Sequence, residues 1–446
     1  MPSNVSAQGG NSDIKKLEIT SNYDGTTVDF STGISELSLY ESLMDNTVRA
    51  SAAFVDTGYG ETGGAVFESA RRGFFNKSAG EKTELIVEDG YKQKLLFTGD
   101  YQLRTKRSVR EAFGGNSTSV ALVTDFYSKE SMMNHLVENR VTQKYEGKIN
   151  DMVTEILTEV LKTGKDLESD KTLNEFTFIG GSQKVFHICT WLAKHCIPED
   201  IPGANGVLAG YLFYEIAHDG ENGGYKFKSI DKLFSQKPKR KLIHNLTTLL
   251  PDGYDYKIIN HYENVNIDVE DQLVSGSLFK REIRTFEPFN KAFEQNDFDY
   301  LEQELVDNNA GVEFYKLASD LKLQEKASRF STKFWDTGVL PKGRNWKEQQ
   351  PESKLFKFDI DKITRQASNR VNQMFTSQLN ILIPMDFGIH AGDVIQCDFL
   401  EHTSNIIKRT SDIKSGKYLI MDISHRINRT GSFSSVHLVR DTIYKK

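Results

Sequence analysis

Residues 415–425 read Ser-Gly-Lys-Tyr-Leu-Ile-Met-Asp-Ile-Ser-His, an apolar stretch opened by a small-residue turn, Ser415-Gly416. Upstream, Ile383-Pro384-Met385-Asp386 leads through Gly388 to Ala391-Gly392-Asp393-Val394-Ile395. Downstream, Gly431 breaks the chain before Val436-His437-Leu438-Val439-Arg440-Asp441. Gly392-Asp393 turns the chain into one strand, Ser415-Gly416 opens the next, and Gly431 separates the last two. Closing a sheet on itself removes the unpaired edges on which strands aggregate. The segment therefore predicts a small closed β module. Gly392, Asp393, Ser415, Gly416, Tyr418, Leu438, Arg440 and Asp441 are the residues that mark it.

A two-residue period also runs through the other end. Val48, Ala50, Ala52 and Phe54 alternate with small or polar neighbours, as do Phe97, Gly99, Tyr101 and Leu103, and then Val120, Leu122 and Thr124. Such alternation marks strands with one buried face. Turn signals at Asp24-Gly25, Gly58 to Gly64, Asp89-Gly90 and Gly114-Gly115-Asn116 divide them, and a short helix is expected from Ala65 to Phe75. The period changes in the middle. Ile149, Met152, Val153, Ile156, Leu157, Val160 and Leu161 form a helical stripe closed by Gly164. Val185, Ile188, Cys189, Leu192, Ala193 and Cys196 form another, closed by Pro198. Two aromatic strands, Tyr211 to Ile216 and Tyr225 to Ile230, follow around the polar hairpin Asp219 to Gly224. Asp297 to Gln350 shows no sustained alternation, whereas Ile363, Ala367, Val371 and Met374 lie on one side of a helix and Leu379, Ile381 and Ile383 return to β. The expected class is α+β, dominated by β.

A chain of 446 residues exceeds what one core usually supports, so roughly two to four domains are expected. Aromatic residues reach 11%, with 28 Phe and 17 Tyr, which suits strands and interfaces. The formal charge of −6 and the lack of a basic tail argue against specific duplex binding, which draws on clustered cations. The one dense basic run, Lys237-Pro238-Lys239-Arg240-Lys241, reads as a solvated loop between domains. Met1 to Ser12 is polar and reads as a disordered leader, without the apolar region of a signal peptide. No apolar run approaches the roughly 18 residues of a membrane span. Cys189, Cys196 and Cys397 make no even disulfide framework, which fits synthesis in a reducing cytoplasm.

The residues that could carry chemistry read structurally instead. Gly58-Tyr59-Gly60-Glu61-Thr62-Gly63 fits a dinucleotide fingerprint, with Glu84 near the spacing of a ribose ligand. Its flanking strands alternate, however, whereas a doubly wound parallel sheet needs continuous apolar strands. On a helix His187 and His195 share one face with Trp191 while Cys189 and Cys196 lie on the apolar stripe, so the four cannot converge on a single ion, and the two histidines could hold one only with outside ligands. Asp268, Glu270 and Asp271 lack the spacing and central glycine of a calcium loop. The carboxylates Asp297, Asp299, Glu302 and Glu304 read as solvated acids. No nucleophile elbow, zinc-protease helix or phosphate loop occurs.

Several of these segments resemble central baseplate hub proteins of contractile-tailed, T-even-like bacteriophages. Ala391-Gly392-Asp393-Val394-Ile395, Ser415 to Ile420 and Leu438-Val439-Arg440-Asp441 are similar to the strands of that family's C-terminal barrel. Ile34 to Leu43 with Val48 to Asp56 looks like its opening barrel. Phe186 to Pro198, Tyr211 to Glu215 and Gly224 to Phe227 look like its α/β domain, and Arg284-Thr285-Phe286-Glu287-Pro288 also agrees. The likeness covers most of the chain in order, with little at Met1 to Ser12 or Gln303 to Glu352.

The resemblance implies two similar tube-type β-barrels, an α/β domain and an inserted mixed module. The boundaries it suggests are 1–12 for the leader, 13–125 for the first barrel, 126–235 for the α+β domain, 236–285 with 370–446 for the second barrel, and 286–369 for the insertion. It implies a homotrimer whose six barrels form a pseudo-sixfold ring, joining a tail tube to a central spike and letting DNA pass. Implied partners are other copies of the chain, a separate trimeric spike, a tail-tube or tube-initiator protein and baseplate wedge proteins. The implied place is the virion tail baseplate, with no enzymatic activity and no cofactor or metal. The acidic balance suits a lumen through which DNA slides, since carboxylate repels phosphate. A hub of a tailocin or extracellular contractile injection system remains open, as does a cell-wall hydrolase using carboxylates between Asp297 and Glu304.

Overall fold

Alternation builds the N-terminal unit. Strands β1 (Asp13–Thr20), β2 (Thr27–Asp29), β3 (Ile34–Ser42), β4 (Arg49–Asp56), β5 (Lys82–Glu88), β6 (Lys94–Val109) and β7 (Val120–Ser128) pair in the order β2-β1-β5-β6-β7-β4-β3. Every pairing is antiparallel. Leu17 and Ile19, Leu37 and Leu39, Ala50, Ala52 and Phe54, and Leu85 and Val87 all reach one core from alternate positions. Burying each of the larger side chains contributes roughly 1.5–3 kcal/mol. The computed structural model describes residues 12–56, 80–109, 120–199, 209–219, 223–245, 250–265, 270, 281–287, 292–298, 320, 329–334, 360–401, 409–411, 413–428 and 431–442. The glycine-rich stretch Gly58 to Gly63, the helix expected at Ala65 to Phe75, and almost all of the leader lie outside them.

The α/β module follows. It comprises α1 (Lys129–Met133), β8 (Arg140–Val141), β9 (Lys144–Lys148), α2 (Ile149–Glu155), β10 (Leu167–Ser169), β11 (Glu175–Ile179), β12 (Gln183–Lys184), α3 (Val185–Ala193), β13 (Tyr211–Ile216), β14 (Gly224–Ser229) and α4 (Ile230–Ser235). The two apolar stripes meet in its core, Ile149, Met152, Val153, Ile156 and Leu157 against Val185, Ile188, Cys189 and Leu192. The first stripe ends in a wider π-helical turn over Ile156–Val160. Tyr211, Phe213, Tyr225 and Phe227 complete the packing, the Phe213 and Tyr225 rings stacked at 5.4 Å between centroids.

The rest of the chain supplies β15 (Arg240–His244), β16 (Tyr256–Lys257), β17 (Asn260–Val265), β18 (Arg281–Glu287), β19 (Ala292–Phe298), β20 (Arg329–Phe334), α5 (Ile360–Gln373), β21 (Ser377–Pro384), β22 (Val394–Glu401), β23 (Arg409–Thr410), β24 (Gly416–Asn428) and β25 (Gly431–Arg440). Strand β15 pairs β22, and β17 pairs β21, so the segment before the insertion shares a sheet with the last 70 or so residues. Strand β18 does not join them. It lies between β19 and β20 in a separate three-stranded sheet. Residues 281–285 therefore go with the insertion, and Arg329–Phe334, where no sustained alternation was expected, is a strand.

The β-dominated reading holds, but among the described residues two closed cylinders do not form. The described strands of both ends make one branched sheet of 15 strands. Its cause is the length of β24. At 13 residues, it spans roughly 40 Å, enough to serve two units. Its first half pairs β22 and its second half pairs β3, while β25 follows along its other edge. A β-bulge interrupts that last pairing between Ile420 and Asp422.

Candidate functional site

In a β-rich chain without a catalytic motif, the functional geometry lies where the units meet. The seam runs along β3 and β24, with Asp422 opposite Ser42 and Asn428 opposite Glu36. Beneath it lies a set of buried carboxylates, each joining segments far apart in sequence. Glu41, on β3, accepts hydrogen bonds from the Ala217 N–H at 3.0 Å and the Ala391 N–H at 3.2 Å. His390 Nδ1 lies 3.1 Å from the same carboxylate, and its Nε2 lies 3.5 Å from Asp219. Burial works against charge on both partners. Glu41 nevertheless holds the imidazolium so firmly that His390 is pushed up to about 10, and the Glu41 carboxyl falls below its usual range. Next to them His425, fully buried, is driven the other way, down to about 4, chiefly by burial; its Nδ1 meets the Ser434 hydroxyl at 2.8 Å.

The same device recurs around the seam. Glu215, on β13, accepts from the Val48 N–H at 2.9 Å and from Lys165, which also pairs with Glu130 at 2.8 Å. Asp89 caps the Phe387 N–H at 2.9 Å, carrying the N-terminal unit onto the loop after β21. Asp386 takes the Arg240 guanidinium at 2.9 Å and the Tyr256 hydroxyl. Arg370, on α5, bridges Asp231 and Asp441, each at 2.8 Å. A carboxylate holds several acceptor sites, so one side chain can satisfy two or three buried donors from different segments. These groups are bonded chiefly to one another and to backbone N–H groups of the chain. Their arrangement does mechanical work, fixing one unit against another.

The residues expected to mark the C-terminal module occupy the same framework. Gly392 adopts φ +93°, and a side chain there would run into the Tyr214 hydroxyl. Asp393 accepts from the His390 N–H at 2.8 Å and pairs with Lys239 at 2.8 Å. The Ser415 hydroxyl accepts from the Phe399 N–H at 3.0 Å, and Gly416 begins β24 opposite Cys397. Arg440 is fully buried; it donates to the carbonyls of Ser415 at 3.1 Å and Thr442 at 3.0 Å and lies 4.7 Å from the centre of the Tyr418 ring. Leu438 fills the core beside Ile420, and Asp441 completes the Arg370 bridge.

Other candidates fare differently. Glu84 is engaged by Lys16 at 2.7 Å. Cys189 and Cys196 are buried, His187 is exposed, and His195 bonds the Trp191 carbonyl at 2.8 Å, so the four do not converge. Among the described residues no group of three or more potential metal ligands occurs, and no helix is long and apolar enough to cross a membrane. Asp299, Glu302 and Glu304 lie outside the described residues, as do Asp268 and Asp271. The basic run is not simply a solvated loop: Arg240 opens β15 on Asp386, and Lys241 lies over the Tyr254 ring at 4.6 Å. Sequence reasoning missed Glu41, His390 and Arg370. Arg440 was singled out only through the terminal stretch Leu438-Val439-Arg440-Asp441.

On the outer face of the seam, Tyr40, Arg49, Asn380, Asp422, Ser435 and His437 help to line a cavity of about 290 Å³. Two of its polar side chains, Asp422 and His437, are paired with each other. His437 bonds Asp422 at 2.9 Å through Nδ1 and Gln378 at 3.1 Å through Nε2, which leaves that imidazole no nitrogen for a serine.

No protein-family model matches the chain, and no curated protein matches it. Comparison with solved structures gives a class first: the chain has the β-dominated fold of a tail protein. The neighbour that carries this is a tail protein from Neisseria meningitidis, with a TM-score of 0.50 and 10% identity, covering 96% of this chain and 98% of that one. A 43 kDa prophage tail protein from Shewanella oneidensis covers 97% of this chain and 100% of its own at a TM-score of 0.48 and 10% identity. A component of the type VI secretion system of Escherichia coli, described as similar in structure to bacteriophage tail proteins, covers 98% and 79% at 0.43 and 8%. At such identities the likeness is one of fold.

Proposed function

We propose that the chain is a structural subunit of the central baseplate hub of a contractile tail. Three copies form a pseudo-sixfold ring between tail tube and spike, through which DNA passes. Its place is the virion tail, after synthesis in the host cytoplasm, and it works without cofactor or catalysis. The observation that carries this reading is the seam. Two β units, one from each end of the chain, share the strand β24 and are locked by buried carboxylates. A subunit of that kind places two sheet-built bodies at a fixed relative angle. Three such subunits give six positions about an axis, the geometry an adapter between sixfold and threefold partners requires. The tail-protein fold and the hub-like strands around Gly392, Gly416 and Arg440 support the same reading.

The test is native mass spectrometry of the purified full-length chain, followed by two-dimensional electron-microscopy averages. The expected result is a trimer of three times 50.6 kDa with six peripheral densities around an open centre. A monomer at every concentration, or a ring without a channel, would end the proposal.

A further inference from the structure

The outer face of the seam is polar and concave. Asn380, His437, Asp422 and Ser42 stand in register across β21, β25, β24 and β3. Two residues along, on the same face, a second row runs Ser435, Ser424, Tyr40 and Arg49 across β25, β24, β3 and β4. Both rows line the cavity of about 290 Å³, at the small end of the roughly 300–1,000 Å³ span of ligand pockets. Asp422 is oriented yet open. His437 fixes its carboxylate through Nδ1 at 2.9 Å, and Gln378 fixes His437 through Nε2 at 3.1 Å, while 44% of the Asp422 side chain stays in solvent. A pair so exposed adds little to stability. What the relay does provide is a carboxylate preset towards the cavity, with lone pairs to spare. Arg49 brings donors to the same space: its neighbour Asp45 lies at 3.5 Å, too far for a good hydrogen bond.

We infer that the cavity binds one pyranose ring of a neutral saccharide, held between the two β units. The lining selects among ligand classes. Ile423, the aliphatic residue at the cavity, turns its side chain into the C-terminal core, so an apolar molecule finds no wall to bury against. Phosphate would meet two carboxylates, Asp45 and Asp422, against one guanidinium. An organic cation would meet Arg49, and a metal ion would find no group of three ligands among the described residues. A hydroxyl suits the mixture, because it donates to a carboxylate and accepts from a guanidinium at once. Ser424, Ser435 and Asn380 add groups that also work in both senses. A sugar ring carries several hydroxyls around a weakly positive C–H face, which the negative face of the Tyr40 ring can receive. The inference does not draw on the ring reading.

Isothermal titration calorimetry of the full-length chain tests it. The probes are the methyl α-glycosides of glucose, galactose and mannose and N-acetylglucosamine, with inorganic phosphate and methylguanidinium for the rival charges. The expected result is a Kd of about 1–10 mM for at least one sugar, weak because the site is small and open to water. Asp422→Asn and Arg49→Ala should each raise that Kd about tenfold or more, with little change in the melt of the sugar-free chain, since both side chains are half exposed. Saturating sugar should raise the Tm of the wild type, because the ligand touches both units. Heat from none of the four sugars at about 100 mM overturns the inference. So does a sugar affinity that both substitutions leave intact, and so does binding of phosphate or methylguanidinium in place of the sugars. One chain carries the whole cavity, so none of these outcomes bears on the number of copies in a ring.

Discussion

The seam and the inserted sheet solve the same problem in opposite ways. Each is a β surface that its own strands cannot bury. Along the seam, the chain covers itself: β3 takes the free edge of β24, and Glu41, Glu215, Asp89 and Asp386 satisfy donors brought from other segments. In the inserted sheet, three phenylalanine rings stay in water. The first arrangement makes a rigid body and leaves little to offer a partner. The second adds little to the stability of one chain and leaves apolar surface for association. Buried acids therefore mark where this molecule is one piece, and the exposed rings mark apolar surface that the described residues leave uncovered.

Breaking the seam should cost most. Replacing Glu41 by Ala removes the nearest counter-ion of a buried imidazolium and leaves two backbone N–H groups unpaired, an expected loss of about 3–5 kcal/mol on urea unfolding. An unchanged midpoint would remove the seam from this account. Gly392→Ala should cost about 1–3 kcal/mol, because φ +93° suits only glycine and the Tyr214 hydroxyl occupies the space a methyl needs; differential scanning calorimetry reads it as a lower Tm.

The two seam histidines sharpen the comparison through pH. His425 has a folded pKa near 4 against an ordinary 6.5, so its contribution is present above 6.5 and is lost as pH falls towards 4. His390, raised to about 10, behaves in the opposite sense: its contribution is full below 6.5 and is lost as pH rises through 10. A melting series from pH 4 to 10 should fall at both limbs, with His425→Asn flattening the acid limb and His390→Gln the alkaline one. The smallest effect belongs to the inserted sheet. Phe334→Ser should change the melt of the isolated subunit by no more than about 0.5 kcal/mol, since the ring is largely in solvent already.

Local order was legible in the sequence; long-range order was not. Alternation at Val48 to Phe54 gave a strand, and the stripes from Ile149 and from Val185 gave helices, because one face of each is buried and the residues say so. Arg329–Phe334 was missed although Phe330, Thr332 and Phe334 do alternate: its apolar face looks outward, and the charged neighbourhood hid the period. The partnership of β3 with β24 joins residues nearly 400 positions apart, and a single sequence carries no signal for it. The expectation of two closed cylinders failed at that point, because a strand long enough for two sheets looks the same as a strand in one. The joints made by the buried acids were illegible for a related reason. Glu41 occupies the same alternate positions as Leu37 and Leu39, a charge on the buried face, and only the arrival of His390 and the Ala217 backbone from far along the chain gives it a role there.

One extra residue governs how β24 serves both ends. Before Met421, the even-numbered residues Tyr418 and Ile420 enter the C-terminal core; beyond it, odd-numbered Ile423 does so, and Ile427 enters the N-terminal core. The bulge thus reverses the parity of the strand midway, and the Met421 carbonyl is spoken for by the Leu43 N–H at 2.9 Å. Were Met421 drawn into regular pairing without the bulge, everything downstream would turn by half a pleat, with Asp422, Ser424 and Arg426 inward and Ile423 and Ile427 out. The reading frame of the sheet, as much as the chemistry of its side chains, is what inheritance must preserve here.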